Sequence, residues 1–403
     1  MKILLATFWV VPHVGGVWNY MLQLKENLEM LGNEVDLLGY GEANNYVHIV
    51  NQNRSIDVRQ PKLLKQSQPS PYKAPVVKYY EMKRYGYECG VNELGLEKYD
   101  LIHTQDVLST VCINRIRPEK TVLVATLHGC VAHELRHYLM NVNKTTTSPA
   151  ACKYFDELEY DGATSSEMTV VANEWMKNIL TDEFQVPSEQ LKLSHYGYDI
   201  DHFDKKVKDT SLIKKPIDKK LIIYAGRITE LKGVNFLISA LKELKENRND
   251  WVSWIVGDGD KFKEIQEQSQ RLGLEDDVVF MGSRDDVPYL LSISDVFVLP
   301  SLIENQPLSV IEAQIAGRAV IVSDVGGLPE MVNHGITGVI TPARNSSSLS
   351  ANINYLLEHQ SYRESLGLNA RRWALSHWSQ NEAIKRVLGI YQTAILKKYK
   401  NIR

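Results

Sequence analysis

Glu304 and Glu312 stand eight positions apart in residues 300–317, PSLIENQPLSVIEAQIAG, directly after the apolar run 295–299, DVFVL. That run reads as a buried parallel strand. Pro307 suits the first turn of a following helix, where no donor is needed and its φ is already helical. Glu304 then falls in the loop at the strand's C-terminal end, and Glu312 a little over one turn into the helix. Such a loop aims free backbone N–H groups and the positive end of a helix dipole at its ligand, which favours an anion. Two carboxylates flanking an anion site suit a ligand with both phosphates and hydroxyls, as in a nucleotide sugar. The plainer alternative is a surface Glu in a loop and a solvated Glu on a helix.

A second strand pattern, 221–228 (LIIYAGRI), ends in Gly226-Arg227, with Lys232-Gly233 close behind and a helix expected from about Val234. Two cations on the short loop leaving a strand are placed to neutralise a diphosphate, Arg227 bidentately. Singly, each is an ordinary surface charge.

The order GR-x4-KG at 226–233, a VGDG loop at 256–259 and E-x7-E at 304–312 resembles the donor half of retaining glycosyltransferases of family four (glycosyl transferases group 1, bacterial type), on the GT-B fold. The resemblance covers nearly the whole chain. Residues 2–7 (KILLAT) read as a strand, followed by Gly15-Gly16, an amphipathic run over 17–31, and Gly32-Asn33-Glu34-Val35, where the family usually has G-H-E-V. The glycine pair lets backbone approach a phosphate closely. GxGxxG is absent, which argues against a dinucleotide-dependent dehydrogenase. A strand over 122–127 followed by His128-Gly129 is similar to the family's active-site strand and His. Tyr196-Gly197-Tyr198-Asp199 through Phe203 resembles N-G-x-D…F, with Tyr196 where Asn is usual. Gly335 to Gly338 (GITG) and Trp373…His377-Trp378-Ser379 complete the likeness.

The resemblance implies an α/β GT-B fold of two Rossmann-like, doubly wound domains facing across a cleft. The acceptor domain would span 1–203 and the donor domain 217–375, with C-terminal helices from about 378 to 403 crossing back to the first. It implies that Arg227 and Lys232 bind the diphosphate, Glu312 the ribose hydroxyls and Glu304 the sugar hydroxyls. Asn305, Gln306, Pro307 and Leu308 would offer backbone beside Glu304, and Gly282, Ser283 and Arg284 would lie against the base. Gly15, Gly16, Gly226 and Gly257 complete the donor set. His128 would line the reacting centre from the acceptor side. The implied reaction moves a sugar from a nucleoside-diphosphate sugar, a UDP-sugar first in view, to an acceptor hydroxyl with retention. The acceptor would be a glycan, a lipid-linked group or a small molecule, in cell-surface glycan, glycolipid or polysaccharide synthesis. No cofactor and no essential divalent metal are expected, since Arg227 and Lys232 take over a metal's electrostatic task.

Composition agrees with this reading. The chain's 403 residues suffice for two domains of about 200 residues, each with its own core. Apolar strands alternate with helical patterns in both halves, the mark of doubly wound layers. The boundary is expected in the charged, β-poor stretch 204–220. A net charge of −3 gives no reason to expect nucleic acid. The four cysteines, Cys89, Cys112, Cys130 and Cys152, lack CxxC spacing and read as reduced thiols of a cytoplasmic protein. Residues 1–11 read as a first strand rather than a signal peptide. No apolar run approaches the ~20 residues of a membrane span.

Three segments offer competing readings. His133-Glu134-Leu135-Arg136-His137 is a literal H-E-x-x-H, which on a helix would put two imidazoles on one face for zinc, with Glu157 at the spacing of a third ligand. That reading leaves GR…KG and E-x7-E unexplained, so no zinc is expected. Asp258-Gly259-Asp260 mimics a metal-binding D-x-D, but following a strand it reads as a turn. Residues 62–84 hold Lys62, Lys65, Lys73, Lys78, Lys83 and Arg84 against the single acid Glu81, with Tyr72, Val76, Tyr79 and Tyr80 between. They form either a solvated helix face or a patch for anionic lipid on the inner face of the cell membrane. The proline-bearing stretch 66–75 reads as a loop facing the acceptor. Rival functions are another GT-B chemistry (phosphorylase or sugar-nucleotide epimerase) and a non-catalytic sugar-binding scaffold.

Overall fold

The computed structural model describes residues 1–13, 15–59, 73–137, 139, 149–208 and 213–401. The chain divides into two compact units, Met1–His195 with Ala383–Arg403, and Tyr196–Glu382.

The first unit carries β1 (Lys2–Val10), β2 (Glu34–Tyr40), β3 (Tyr46–Ile49), β4 (Arg54–Asp57), β5 (Leu101–Thr104), β6 (Val122–Leu127), β7 (Met168–Val171) and β8 (Leu191–Leu193) in one sheet, ordered β4-β3-β2-β1-β5-β6-β7-β8. From β2 to β8 through β1 the pairs are parallel, while β3 runs antiparallel to both β2 and β4. Strands β5, β6 and β7 are buried at every position, as parallel strands covered on both faces must be. Strand order reverses between β1 and β5, the place where open α/β sheets leave a crevice at the strands' C-terminal ends.

The second unit holds β9 (Lys220–Ala225), β10 (Trp251–Val256), β11 (Val278–Gly282), β12 (Val296–Leu299), β13 (Ala319–Ser323) and β14 (Val339–Thr341), ordered β11-β10-β9-β12-β13-β14 and parallel throughout. Here the order reverses between β9 and β12, which pair directly through Val296 with Ile222 and Phe297 with Ile223. The loops leaving those two strands are the ones that carry Arg227, Lys232 and Glu304.

The last helix, Gln380–Asn401, joins the first unit from Ala383 onward. Val387, Tyr391 and Ala394 pack with Ile3, Leu5, Leu101 and Val124, and Lys397 donates to the Glu167 carbonyl at 2.9 Å. The division between units comes at His195, ahead of the stretch 204–220 marked by composition. Tyr198 and Phe203 are buried in the second unit's core, so the chain joins that core before its charged segment begins. Among the described residues no helix is long and apolar enough to cross a membrane.

Candidate active site

In the second unit, the loop after β9 is laced to the loop after β10. Gly226 donates to the Val256 carbonyl at 3.0 Å, and Ile228 to that of Asp258 at 2.8 Å. The approach needs glycine on the opposite side. A Cβ on Gly257, at φ +132°, would come within 1.9 Å of the Gly226 oxygen, and one on Gly259 within 2.2 Å of that of Ile228. Asp258-Gly259-Asp260 is accordingly a turn, with Asp258 Oδ1 accepting from the Gly259 N–H at 2.7 Å. The buried Tyr224 donates its hydroxyl to the Arg227 carbonyl at 2.6 Å, which fixes the backbone while the guanidinium stays exposed. Lys232 closes a short 3-10 turn, and Gly233 follows at φ +64°. A Cβ there would lie 2.1 Å from the Pro300 oxygen, so Lys232 is pressed against the loop leaving β12.

In that loop, Glu304 Oε2 accepts from Lys232 Nζ in an ion pair and from Ser301 Oγ at 3.2 Å. Its carbonyl accepts from Gly327 N–H at 3.0 Å, and Gly326 (φ +60°) allows the contact, because a Cβ would sit 1.8 Å away. The helix runs Leu308–Ile315, so Pro307 is its extended cap (φ −70°, ψ 128°) rather than a first-turn residue. Extended backbone at Pro307 leaves the helix to open at Leu308. Asn305 and Gln306 are buried. Gln306 accepts the Tyr196 N–H through Oε1 at 3.2 Å, while its Nε2 is buried with no partner among the described residues. Glu312 is the fifth helical residue and partly buried. Burial pushes its carboxyl up to about 7, against the opposing hydrogen bond from Tyr198 OH at 2.7 Å. At the end of β11, Gly282 (φ +66°) accepts from Gly257 N–H at 2.8 Å. Beyond Ser283, Arg284 is held bidentately by Asp286 at 2.7 Å, so its guanidinium is committed within its own loop.

In the first unit, Gly15 caps and Gly16 opens the helix Gly16–Met30 after β1. His128 leaves β6 with Nε2 bonded to Gln105 Oε1 at 2.9 Å and its ring against Tyr20, centroids 5.0 Å apart. Burial lowers its pKa to about 3, so the imidazole is neutral at physiological pH. Beneath it lies His103, likewise lowered to about 3, between Tyr391 OH at 2.8 Å and Thr126 Oγ1 at 2.7 Å.

The H-E-x-x-H segment does form a helix, Val131–His137, but His133 Nε2 bonds Glu183 at 2.7 Å and Arg136 pairs with Asp156. Among the described residues no group of three or more His, Cys, Asp or Glu is placed to hold a metal ion. The basic stretch needs correction. Lys62, Lys65 and most of the 66–75 loop lie outside the described residues. Lys73 and Lys78 are exposed, but Lys83 lies over the rings of Phe8, Tyr40 and Tyr79 at 5.4 to 5.5 Å. Arg84 is buried and donates to Tyr154 OH at 3.0 Å. On the helix Pro75–Leu94 these two cations serve the interior rather than a surface patch.

Sequence reasoning missed Tyr198 and Tyr224, the hydroxyls that hold Glu312 and the Arg227 backbone. For Tyr224 the signal was available, a polar-tipped ring inside an otherwise aliphatic buried strand. For Tyr198 none was, since its partner lies 114 positions away.

Two family models match, Glycosyltransferase Family 4 over residues 14–202 and Glycosyl transferases group 1 over 207–373. Among curated relatives, the chain is 26% identical to an uncharacterised glycosyltransferase of Methanocaldococcus jannaschii, covering 98% of this chain and 99% of that one. It is 25% identical to the MMP alpha-(1->4)-mannosyltransferase of Mycolicibacterium hassiacum, with the same coverage. Among solved structures, Anabaena HepE in complex with UDP superposes with a TM-score of 0.69 at 19% identity, over 98% of this chain and 100% of that one. With both halves matched in order on the GT-B fold, the chain belongs to the family-four glycosyltransferases (glycosyl transferases group 1).

Proposed function

We propose that the chain moves a hexosyl group from a nucleoside-diphosphate sugar, a UDP-sugar first in view, to an acceptor hydroxyl with retained anomeric configuration and without a divalent metal. The observation that carries this reading is the grouping of Arg227, Lys232 and Glu304 on the loops leaving β9 and β12, where strand order reverses. The HepE structure with UDP supports the choice of donor class, and the α-mannosyltransferase relative supports a hexosyl group as what is moved.

As the bond from anomeric carbon to phosphate oxygen breaks, negative charge grows on the departing diphosphate, where Arg227 and Lys232 stabilise it. Glu304, already oriented by Lys232 and Ser301, accepts from donor-sugar hydroxyls. Glu312 accepts from the ribose. The imidazole of His128 in the first unit, its pKa lowered to about 3 by burial, is suited to hydrogen bonding rather than to protonating a substrate. The acceptor would be a glycan, a lipid-linked group or a small molecule used in cell-surface glycan synthesis, with the protein cytoplasmic.

A thermal-shift screen of nucleotide sugars tests the reading, since a bound donor raises the melting temperature by mass action. The stabilising donor should then be hydrolysed slowly by the pure protein. No stabilisation and no hydrolysis across UDP-, GDP- and ADP-sugars would defeat it.

A further inference from the structure

Tyr198 is buried and held from three sides. Its N–H donates to the Trp378 carbonyl at 2.8 Å, its ring meets Phe203 edge-on at 6.1 Å, and its hydroxyl donates to Glu312 Oε1 at 2.7 Å. Trp378 in turn donates its indole N–H to Gln314 Oε1 at 2.9 Å, two positions along the same helix. The helix Leu308–Ile315 is thus pinned by two side chains in its C-terminal half, at Glu312 and Gln314. No described residue donates to the other Glu312 oxygen, Oε2.

We propose that Tyr198 is a positioning residue for nucleotide recognition, which occupies Glu312 Oε1 so that Oε2 stands fixed and open to the ribose hydroxyls of a nucleoside diphosphate. The proposal rests on reading Glu312 as the ribose-binding carboxylate. The chemistry favours a phenol in this role. A Lys or Arg partner would neutralise the carboxylate, and an apolar partner would leave it free to rotate. A single O–H donor fixes the orientation without adding a counter-charge to the carboxylate. A carboxylate meeting a ribose diol forms hydrogen bonds in which the acceptor is charged, the stronger kind, so a loss of orientation registers in affinity. Because Tyr198, among the described residues, contacts Glu312 and no other residue assigned to the donor, its effect should be confined to the ribose.

The test is calorimetric binding of whichever of UDP, GDP and ADP binds tightest, alongside its 2′,3′-dideoxy counterpart. The proteins are the full chain, Tyr198→Phe and Glu312→Gln. Phe keeps the buried ring, and an unchanged melting profile confirms folding. In the parent chain the diol should strengthen binding by about tenfold or more, as expected for hydrogen bonds to a charged group. Tyr198→Phe should shrink that preference at least about threefold while leaving dideoxynucleotide affinity unchanged, a split that general destabilisation would not produce. Tyr198→Phe with the full diol preference, while Glu312→Gln loses it, would overturn the role of Tyr198 alone. Glu312→Gln with the full preference would overturn the reading of Glu312 beneath it.

Discussion

Lys232 and Glu304, 72 positions apart, meet in an ion pair between the loops that leave β9 and β12, with side chains only 18% and 12% exposed. A partly buried pair binds its members more than an exposed one, because removing either leaves the other desolvated and uncompensated. Each single change, Lys232→Met or Glu304→Gln, should therefore lower the melting temperature, by an amount corresponding to about 1–3 kcal/mol. The double variant should recover part of that loss. Additive effects in the double variant would show that the two side chains act independently.

The Glu312 carboxyl, pushed up to about 7 from an ordinary 4.5, ties nucleotide binding to pH. Ribose hydroxyls donate, so the ionised carboxylate is the binding form, and affinity should rise as pH increases through about 7. Its effect on folding has the opposite sense. The folded state holds this proton more tightly than the unfolded one, so stability is lost as pH rises from 4.5 through 7. His103 and His128, lowered to about 3, act on the acid side, with stability present above 6.5 and lost as pH falls toward 3. Nucleotide titrations and unfolding midpoints from pH 4 to 8.5 check both. Affinity independent of pH in Glu312→Gln, but not in the parent, assigns the effect.

The last helix should matter to the first unit through Tyr391. Its ring is buried and its hydroxyl meets His103 Nδ1 at 2.8 Å. Tyr391→Phe leaves that buried nitrogen unpaired and should cost about 1–3 kcal/mol in denaturant unfolding. Removing residues 389–403 should cost more, since Ile390 and Ile395 also pack on this core. Leu396, at 64% exposed, adds nothing to that loss. A truncated chain as stable as the parent would show that the helix does not brace the unit.

The site was legible where local spacing carries it. Strand ends, glycines and the eight-residue interval between Glu304 and Glu312 place residues without knowledge of distant contacts. Tertiary partners were not legible. Charge density made Lys83 and Arg84 look like surface cations, yet the helix buries Val77, Arg84, Tyr87, Val91 and Leu94, a stripe at helical spacing that takes Arg84 inward. The charged stretch 204–220 begins just after the point where the two units divide by contact, since Tyr198 and Phe203 have already entered the second core. Tyr198 could be paired with Glu312 only once the fold had brought them together.

Chelation should leave catalysis intact. Arg227 and Lys232 supply fixed positive charge, and His133 is engaged with Glu183. Elemental analysis of protein purified without added metal should give well below one zinc per chain, and EDTA should leave turnover unchanged. Stoichiometric zinc that disappears in His133→Ala would reverse this expectation.

The chemistry itself is tested by three classes of variant. A cation beside the diphosphate is worth more as the leaving group gains charge than in the bound donor, so its removal falls on kcat. Arg227→Ala and Lys232→Ala should each lower kcat by about 10² or more, as loss of other preorganised charge stabilisers does. Lys232→Ala also frees Glu304 from its ion pair, so it should disturb the sugar's alignment as well and prove the more damaging of the two. Glu304→Ala should lower turnover, because its partner is the reacting sugar. Ribose hydroxyls do not change charge during the reaction, so Glu312→Ala should act mainly on KM. Steady-state kinetics with the donor found by thermal shift separates the classes. Near-normal kcat in both Arg227→Ala and Lys232→Ala would remove these residues from transition-state stabilisation and defeat the mechanism, whatever the fold.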